Sequence, residues 1–151
     1  MNGDRPAIVE LIAKTARLLD DEKFDAWLAL FADNAVYEFG AYSPEIRQTM
    51  SWWKADAAML ALQLKSVGQH VRDPAQRRHL LGSPGIVLDG DRARAETTFA
   101  IYRTTPAGQS SLYMVGRYDD VLVHIGSDWR YASHRAIADT RMLDAFTHVP
   151  V

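Results

Sequence analysis

The feature that most constrains this chain is a series of four β-rich segments filling its second half, each separated from the next by a tight turn signal. They span 78–88, 92–105, 109–125 and 129–139, and the three breaks between them carry Asp89-Gly90-Asp91, Pro106-Ala107-Gly108 and Gly126-Ser127-Asp128. Links that short join antiparallel neighbours, because a parallel crossover needs a dozen or more residues. The second half is therefore expected to be an antiparallel meander. Segments this long exceed the five or six residues usual for a strand, so the sheet should bend, with bulges expected near Gly82 and Gly116.

The first half has helical spacing instead. Asp4 is placed to cap a helix, Pro6 suits its first turn, and Ile8, Leu11, Ile12, Thr15, Leu18 and Leu19 form a stripe of helical period. Asp20-Asp21-Glu22 interrupts that stripe and offers caps for a second helix, which is expected to carry Phe24, Trp27, Leu28 and Phe31 on one face and to end at Asp33-Asn34. Val36 to Phe39 alternates like a short strand, and 40–49 has loop composition. A third helix is expected over 51–67, capped by Ser51, and a polar loop with Pro74 over 69–75. Three helices followed by a long bent antiparallel sheet make an α+β fold with the helices on one face, expected as a single domain over 1–151.

Charge and composition remove several function classes. A formal charge of -2 offers no basic face for nucleic acid. No apolar run approaches the roughly 20 residues that span a bilayer. The opening MNGDRPAIVE carries acids where a secretion signal would carry bases, so a cytoplasmic protein is expected. The chain has no cysteine, which excludes disulfides, thiolate zinc sites, cysteine-ligated iron–sulfur clusters and a cysteine nucleophile. Its histidines (His70, His79, His124, His134 and His148) lack zinc-protease spacing, and its glycines form no phosphate loop or dinucleotide fingerprint. No metal or redox centre is expected in this chain.

A curled sheet wrapped by helices encloses concave space. Trp27, Tyr37, Trp52, Trp53, Tyr113, Tyr118, Trp129 and Arg135 are candidates to line it, although aromatics at these spacings are more often plain core. For chemistry, Asp20 at a helix end and His79 at a strand start can approach one another. An Asp–His pair in an apolar cavity is a sound general base for a dehydratase or isomerase. The same residues can instead be a helix cap and a framework histidine. Arg103, Arg117 and Arg135 could cluster around a carboxylate. Asp119 and Asp120 point to opposite faces of a strand and make a poor dyad, and Ser110-Ser111 lacks the context of a nucleophile elbow.

Four segments in order carry a resemblance: LLDDEKFDAWLALFADNAVYEF (18–39), MSWWKADAAMLALQLKSV (50–67), RRHLLGSPGIV (77–87) and TRMLDAFTHVPV (140–151). Together they resemble the β (small) subunits of aromatic-ring-hydroxylating dioxygenases, most of all those of salicylate 5-hydroxylase and terephthalate dioxygenase. The doublet Trp52-Trp53 and the stretch Ala61-Leu62-Gln63 depart from that pattern. The resemblance implies a cystatin-like (NTF2-like, SnoaL-like) cone. It also implies a non-catalytic role: stabilising a trimer within an α3β3 assembly whose α subunit carries the Rieske iron–sulfur cluster and mononuclear iron. His79 would then be a framework or interface residue. The same cone houses lyases and isomerases with an Asp–His pair at positions resembling Asp20 and His79, so a stand-alone enzyme is the alternative. A ligand-binding homo-oligomer without chemistry is the third.

Overall fold

A computed structural model of the chain describes residues 3–67, 73–143 and 149–151; His70, His148 and part of the expected 69–75 loop lie outside the described residues. Helix α1 spans Asp4–Asp20 and α2 spans Phe24–Leu28. Strands β1 (Phe31–Ser43) and β2 (Gln48–Asp56) follow, then helix α3 (Ala57–Lys65). The remaining strands are β3 (Gln76–Leu81), β4 (Gly85–Asp89), β5 (Arg92–Thr104), β6 (Ser110–Ile125) and β7 (Asp128–Ala138). They form one seven-stranded sheet in the order β2-β1-β7-β6-β5-β3, with β4 also paired to β5. Helix α1 packs over β3 and β7, and α3 over β1 and β2. The α+β expectation holds, with one amendment: the pairing of β1 with β7 is parallel. The hairpin β1–β2 and the β5–β6–β7 meander are each antiparallel, and the parallel seam joins them.

Helix α1 follows its sequence stripe, burying Ile8, Leu11, Ile12, Thr15, Ala16 and Leu19. Asp4 is not its cap. Gly3 occupies that position, and Asp4 instead accepts a hydrogen bond from Trp129 Nε1 at 3.1 Å, tying the helix start to β7. Helix α2 is shorter than its apolar face suggested. Phe31 leaves it to open β1, because Leu30 and Phe31 are captured by β7: Tyr131 N–H donates to Leu30 O at 2.9 Å, and Phe31 registers with Tyr131.

The larger correction concerns 40–56, where a loop and the start of a helix were expected. Strand β1 continues to Ser43 and β2 replaces the first turn and a half of the expected third helix. Aromatic residues prefer a pleated, half-buried surface, and Trp53 registers with Phe39 while Trp52 packs edge-on to it at 5.1 Å. Asp56, not Ser51, caps α3, its carboxylate accepting from Met59 N–H at 2.8 Å.

The 78–88 segment is two strands. Between Leu81 and Gly85 one side advances four residues while β5 advances three, from Phe99 to Glu96, so the extra residue is a bulge at the Gly82 break. Pro84 brings no N–H to the ladder there. The bulge expected near Gly116 falls at Tyr113, three residues before it, while register runs through Gly116 itself unbroken; a second irregularity falls at Ala132 in β7. Gly116 serves a different end, since a Cβ there would meet Ile137 O at 2.3 Å.

Candidate functional site

Alternation along β3 sends Arg77, His79 and Leu81 inward and Gln76, Arg78 and Leu80 outward. The inward His79 meets Asp20, the last residue of α1, with Nδ1 to Oδ1 at 2.5 Å. The His79 backbone N–H also donates to both Asp20 carboxylate oxygens at 3.1 Å. Gln76 Nε2 donates to the Asp20 carbonyl at 2.9 Å, and Arg78 approaches the carboxylate at 3.9 Å from solvent. Both members are deeply buried, with side chains 4% and 2% exposed. A carboxylate at a helix C-terminus faces the unfavourable end of the dipole, and these donors offset that penalty while clamping α1 to β3. The Nε2 atom of His79 is buried and has no hydrogen-bond partner. An imidazole tied at Nδ1 to a carboxylate with Nε2 open is the arrangement of a general base.

The pair lies in the wall of a cavity of about 600 Å³, also lined by Leu19, Asp21, Glu22, Asp73, Gln76, Arg77, Val149 and Pro150. Acids outnumber bases around it. Arg103 makes a two-pronged bond to Asp73, at 2.7 and 2.6 Å, and holds its carboxyl below the ordinary range. Residue Val151 is buried beyond the cavity, where the Tyr37 hydroxyl accepts from its N–H at 3.1 Å and donates to its carbonyl at 3.3 Å.

A second carboxylate–imidazole pair lies deeper. Asp120 on β6 and His134 on β7 are direct cross-strand partners, with Oδ1 to Nδ1 at 2.5 Å and exposures of 3% and 1%. Tyr37 on β1 is the next residue in the same row. Around His134 stand Phe31, Tyr37, Tyr118 and Tyr131, with ring centroids at 6.0, 5.9, 4.9 and 4.6 Å. Burial pushes the Asp120 carboxyl up, partly offset by His134. Burial likewise raises the phenols of Tyr37, Tyr118 and Tyr131, and Tyr118 also feels the charges of Asp120 and Asp20. Asp120 Oδ2, His134 Nε2, Tyr118 OH, Thr97 Oγ1 and Trp27 Nε1 are all buried without a hydrogen-bond partner. Each such atom costs about 1–3 kcal/mol, so this many in one interior marks more than packing.

Of the expected lining residues, none belongs to the wall of the 600 Å³ cavity. Trp27 and Tyr37 are fully buried, Tyr37 beside His134 and Trp27 edge-on to Tyr37 at 5.5 Å, and Trp53 flanks Tyr37 edge-on at 5.6 Å while its Nε1 donates to Gln63 at 2.8 Å. Tyr113 stands one layer back, with the Arg77 guanidinium 4.6 Å from its ring centre. Arg135 points to the opposite face from His134 and pairs with Glu38 at 3.3 Å. Nor do the strand arginines cluster: Arg103 holds Asp73 and Arg117 faces Asp119 at 3.4 Å. The Asp120–His134 pair escaped sequence reasoning, which weighed Asp120 only against Asp119. Alternation puts Tyr118, Asp120 and Leu122 on one face, but only the β6–β7 register brings Asp120 opposite His134.

The chain's residues do not suit a Rieske cluster, which needs cysteine and histidine ligands, and the sequence has no cysteine. Among the described residues no three histidines or acids converge as a metal site, and no helix is long and apolar enough to cross a membrane.

Comparison with known proteins places this architecture. The model of the SnoaL-like domain matches residues 3–135. The chain is 31% identical over 149 residues to the β subunit of 2-aminobenzenesulfonate 2,3-dioxygenase from Alcaligenes sp., covering 98% of this chain and 99% of that one. It is 28% identical to the β subunit of the methanesulfonate monooxygenase hydroxylase from Methylosulfonomonas methylovora, covering 96% and 86%. A crystal structure from Novosphingobium aromaticivorans, assigned as the β subunit of an aromatic-ring-hydroxylating dioxygenase, superposes with a TM-score of 0.84 at 26% identity, covering 93% and 92%. The chain belongs to the SnoaL-like domain family, in the group that contains the β subunits of ring-hydroxylating dioxygenases.

Proposed function

We propose that this chain is the non-catalytic β subunit of an aromatic-ring-hydroxylating oxygenase. It docks a larger α subunit, which holds the Rieske cluster and mononuclear iron and hydroxylates the ring. The assembly is α3β3 and cytoplasmic. The observation that carries the reading is the end-to-end match with a β subunit, 98% of one chain against 99% of the other. Two features of the fold support it. Asp20 is engaged by the His79 backbone as well as its ring, as a clamp between α1 and β3 requires. The outer face of the sheet exposes Leu80, Tyr102 and Leu112, with Tyr102 and Leu112 in register, and contiguous apolar surface of this kind marks an interface. The test is gentle purification of the tagged chain from its native cells, followed by iron analysis and identification of what accompanies it. A stoichiometric larger partner bringing iron supports the reading; an iron-free homo-oligomer overturns it.

The unpaired Nε2 of His79, a residue of the cavity wall, favours one second reading, a lyase or isomerase with Asp20 and His79 as its base. The acidic rim would then select neutral or cationic substrates. Substituting His79→Ala separates the two: the subunit reading expects altered assembly or little effect, and the lyase reading expects lost turnover with assembly intact.

A further inference from the structure

We propose that residues 149–151 are a lid on the cavity whose wall includes Asp20 and His79, latched shut by the Tyr37 hydroxyl. The lid applies under either reading of the function, because both keep that pair in this wall. Three observations carry it.

The first is position. Val149 and Pro150 line the cavity together with Asp20 and His79. The His79 side chain is 2% exposed although it belongs to that wall, so its imidazole has almost no contact with solvent. Displacing residues 149–151 takes away one side of the enclosure.

The second is how the segment is held. Residues 149–151 lie outside every helix and strand. Both backbone polar groups of Val151 go to a single side-chain atom: the Tyr37 hydroxyl accepts from its N–H at 3.1 Å and donates to its carbonyl at 3.3 Å. Pro150 has no N–H to add. A residue inside the sheet belongs to a ladder of bonds, and losing one leaves the rest. Here one hydroxyl carries two, and segments secured by few backbone hydrogen bonds open at lower free energy than the sheet they rest on.

The third is the contrast between the moving part and its seat. Tyr37 is fully buried between Trp27, Trp53 and His134, with ring centroids at 5.5, 5.6 and 5.9 Å, so its phenol is fixed. Val151 is 1% exposed and belongs to the same core cluster, with Val149 packed against it. A short segment seated by apolar contact and one polar latch on a rigid wall has the make-up of a lid.

The test uses the full-length chain in the assembly in which it purifies. Exchange at the Val151 amide reads the latch. Deuterium exchange at the imidazole C2 position, followed for each histidine by mass spectrometry, reads the cavity, with the exposed His124 as internal standard. In the parent chain His79 should exchange more slowly than His124. Tyr37→Phe keeps the ring and removes both bonds from the closed state, whereas the open segment bonds to water in parent and variant alike. It should raise Val151 amide exchange about tenfold and His79 exchange about threefold or more relative to His124, as losing one or two ordinary hydrogen bonds requires. Val151→Ala keeps the backbone bonds, loosens the apolar anchor and should act in the same direction. Asp56→Ala weakens the start of α3 instead and should leave His79 within about twofold. The proposal is overturned if Val151 stays protected in Tyr37→Phe, or if His79 keeps the parent rate in both Tyr37→Phe and Val151→Ala. It also fails if parent His79 exchanges as fast as His124, or if Asp56→Ala accelerates His79 as much as Tyr37→Phe does, which would make the opening global.

Discussion

Replacing Asp20 with alanine tests whether the outer pair is a clamp. The carboxylate accepts the His79 backbone N–H and sits 2.5 Å from His79 Nδ1, inside a site where the two side chains are 4% and 2% exposed. Alanine strands both His79 groups at once. A buried donor left without its acceptor costs about 1–3 kcal/mol, and alanine leaves two such groups, so a loss of roughly 3 kcal/mol is expected. For a chain of this size that lowers Tm by roughly 6–12 °C. Urea unfolding followed by tryptophan fluorescence and by far-ultraviolet circular dichroism gives the free energy, and an unchanged m-value confirms that only stability moved. The exposed neighbour Asp21 supplies the control, since Asp21→Ala should stay within about 0.5 kcal/mol. If Asp20→Ala costs no more than that control, the clamp argument is wrong, and the pair is retained for something other than holding α1 to β3.

Other expectations follow from single features. Burial raises the Asp120 carboxyl above its ordinary value of 3.8, so the native state holds a proton that the unfolded state has released. That contribution is fully present below pH 3.8 and is lost as pH rises through the raised value; Asp120→Asn should flatten this part of a stability–pH curve, and an unchanged curve would refute the assignment. Gly116→Ala places a Cβ 2.3 Å from Ile137 O and 2.8 Å from Ala138 Cα, both backbone atoms that cannot rotate away. It should destabilise by about 1–3 kcal/mol in chemical denaturation. Asp56→Ala removes the α3 cap and should cost about 1 kcal/mol, with faster amide exchange at Met59. Tyr37→Phe removes both hydrogen bonds to Val151, and Val151 N–H should lose its exchange protection.

The elements that were legible from sequence share a cause. Helix α1 and strands β5, β6 and β7 are set by their own periodicity and by turn residues at their ends, and such signals act within a few residues. Gly90, Gly108 and Gly126 all take positive φ at the three turns expected from sequence. The stretch 40–56 failed because its state is decided by a neighbour far away in the chain. Phe39 registers with Trp53 on one side and, on the other, with Ala136 of β7, nearly a hundred residues on. Ser51 and Asp56 are both competent caps, and the strand pairing that consumes Ser51 chooses Asp56.

The candidate site divides the same way. Asp20 and His79 could be matched from sequence because one ends a helix and the other starts a strand, places where connecting elements converge. Asp120 and His134 are joined by register across β6 and β7, and the bulge at Ala132 shifts that register. A one-residue slip in a strand reverses every side chain beyond it, so no reading of alternation alone could bring this aspartate to this histidine. The sequence by itself determined the fold class, the turns and the absence of thiolate chemistry, because these depend on local geometry and composition. Only the tertiary structure decided which polar atoms are buried together, because that depends on how strands separated in sequence come into register.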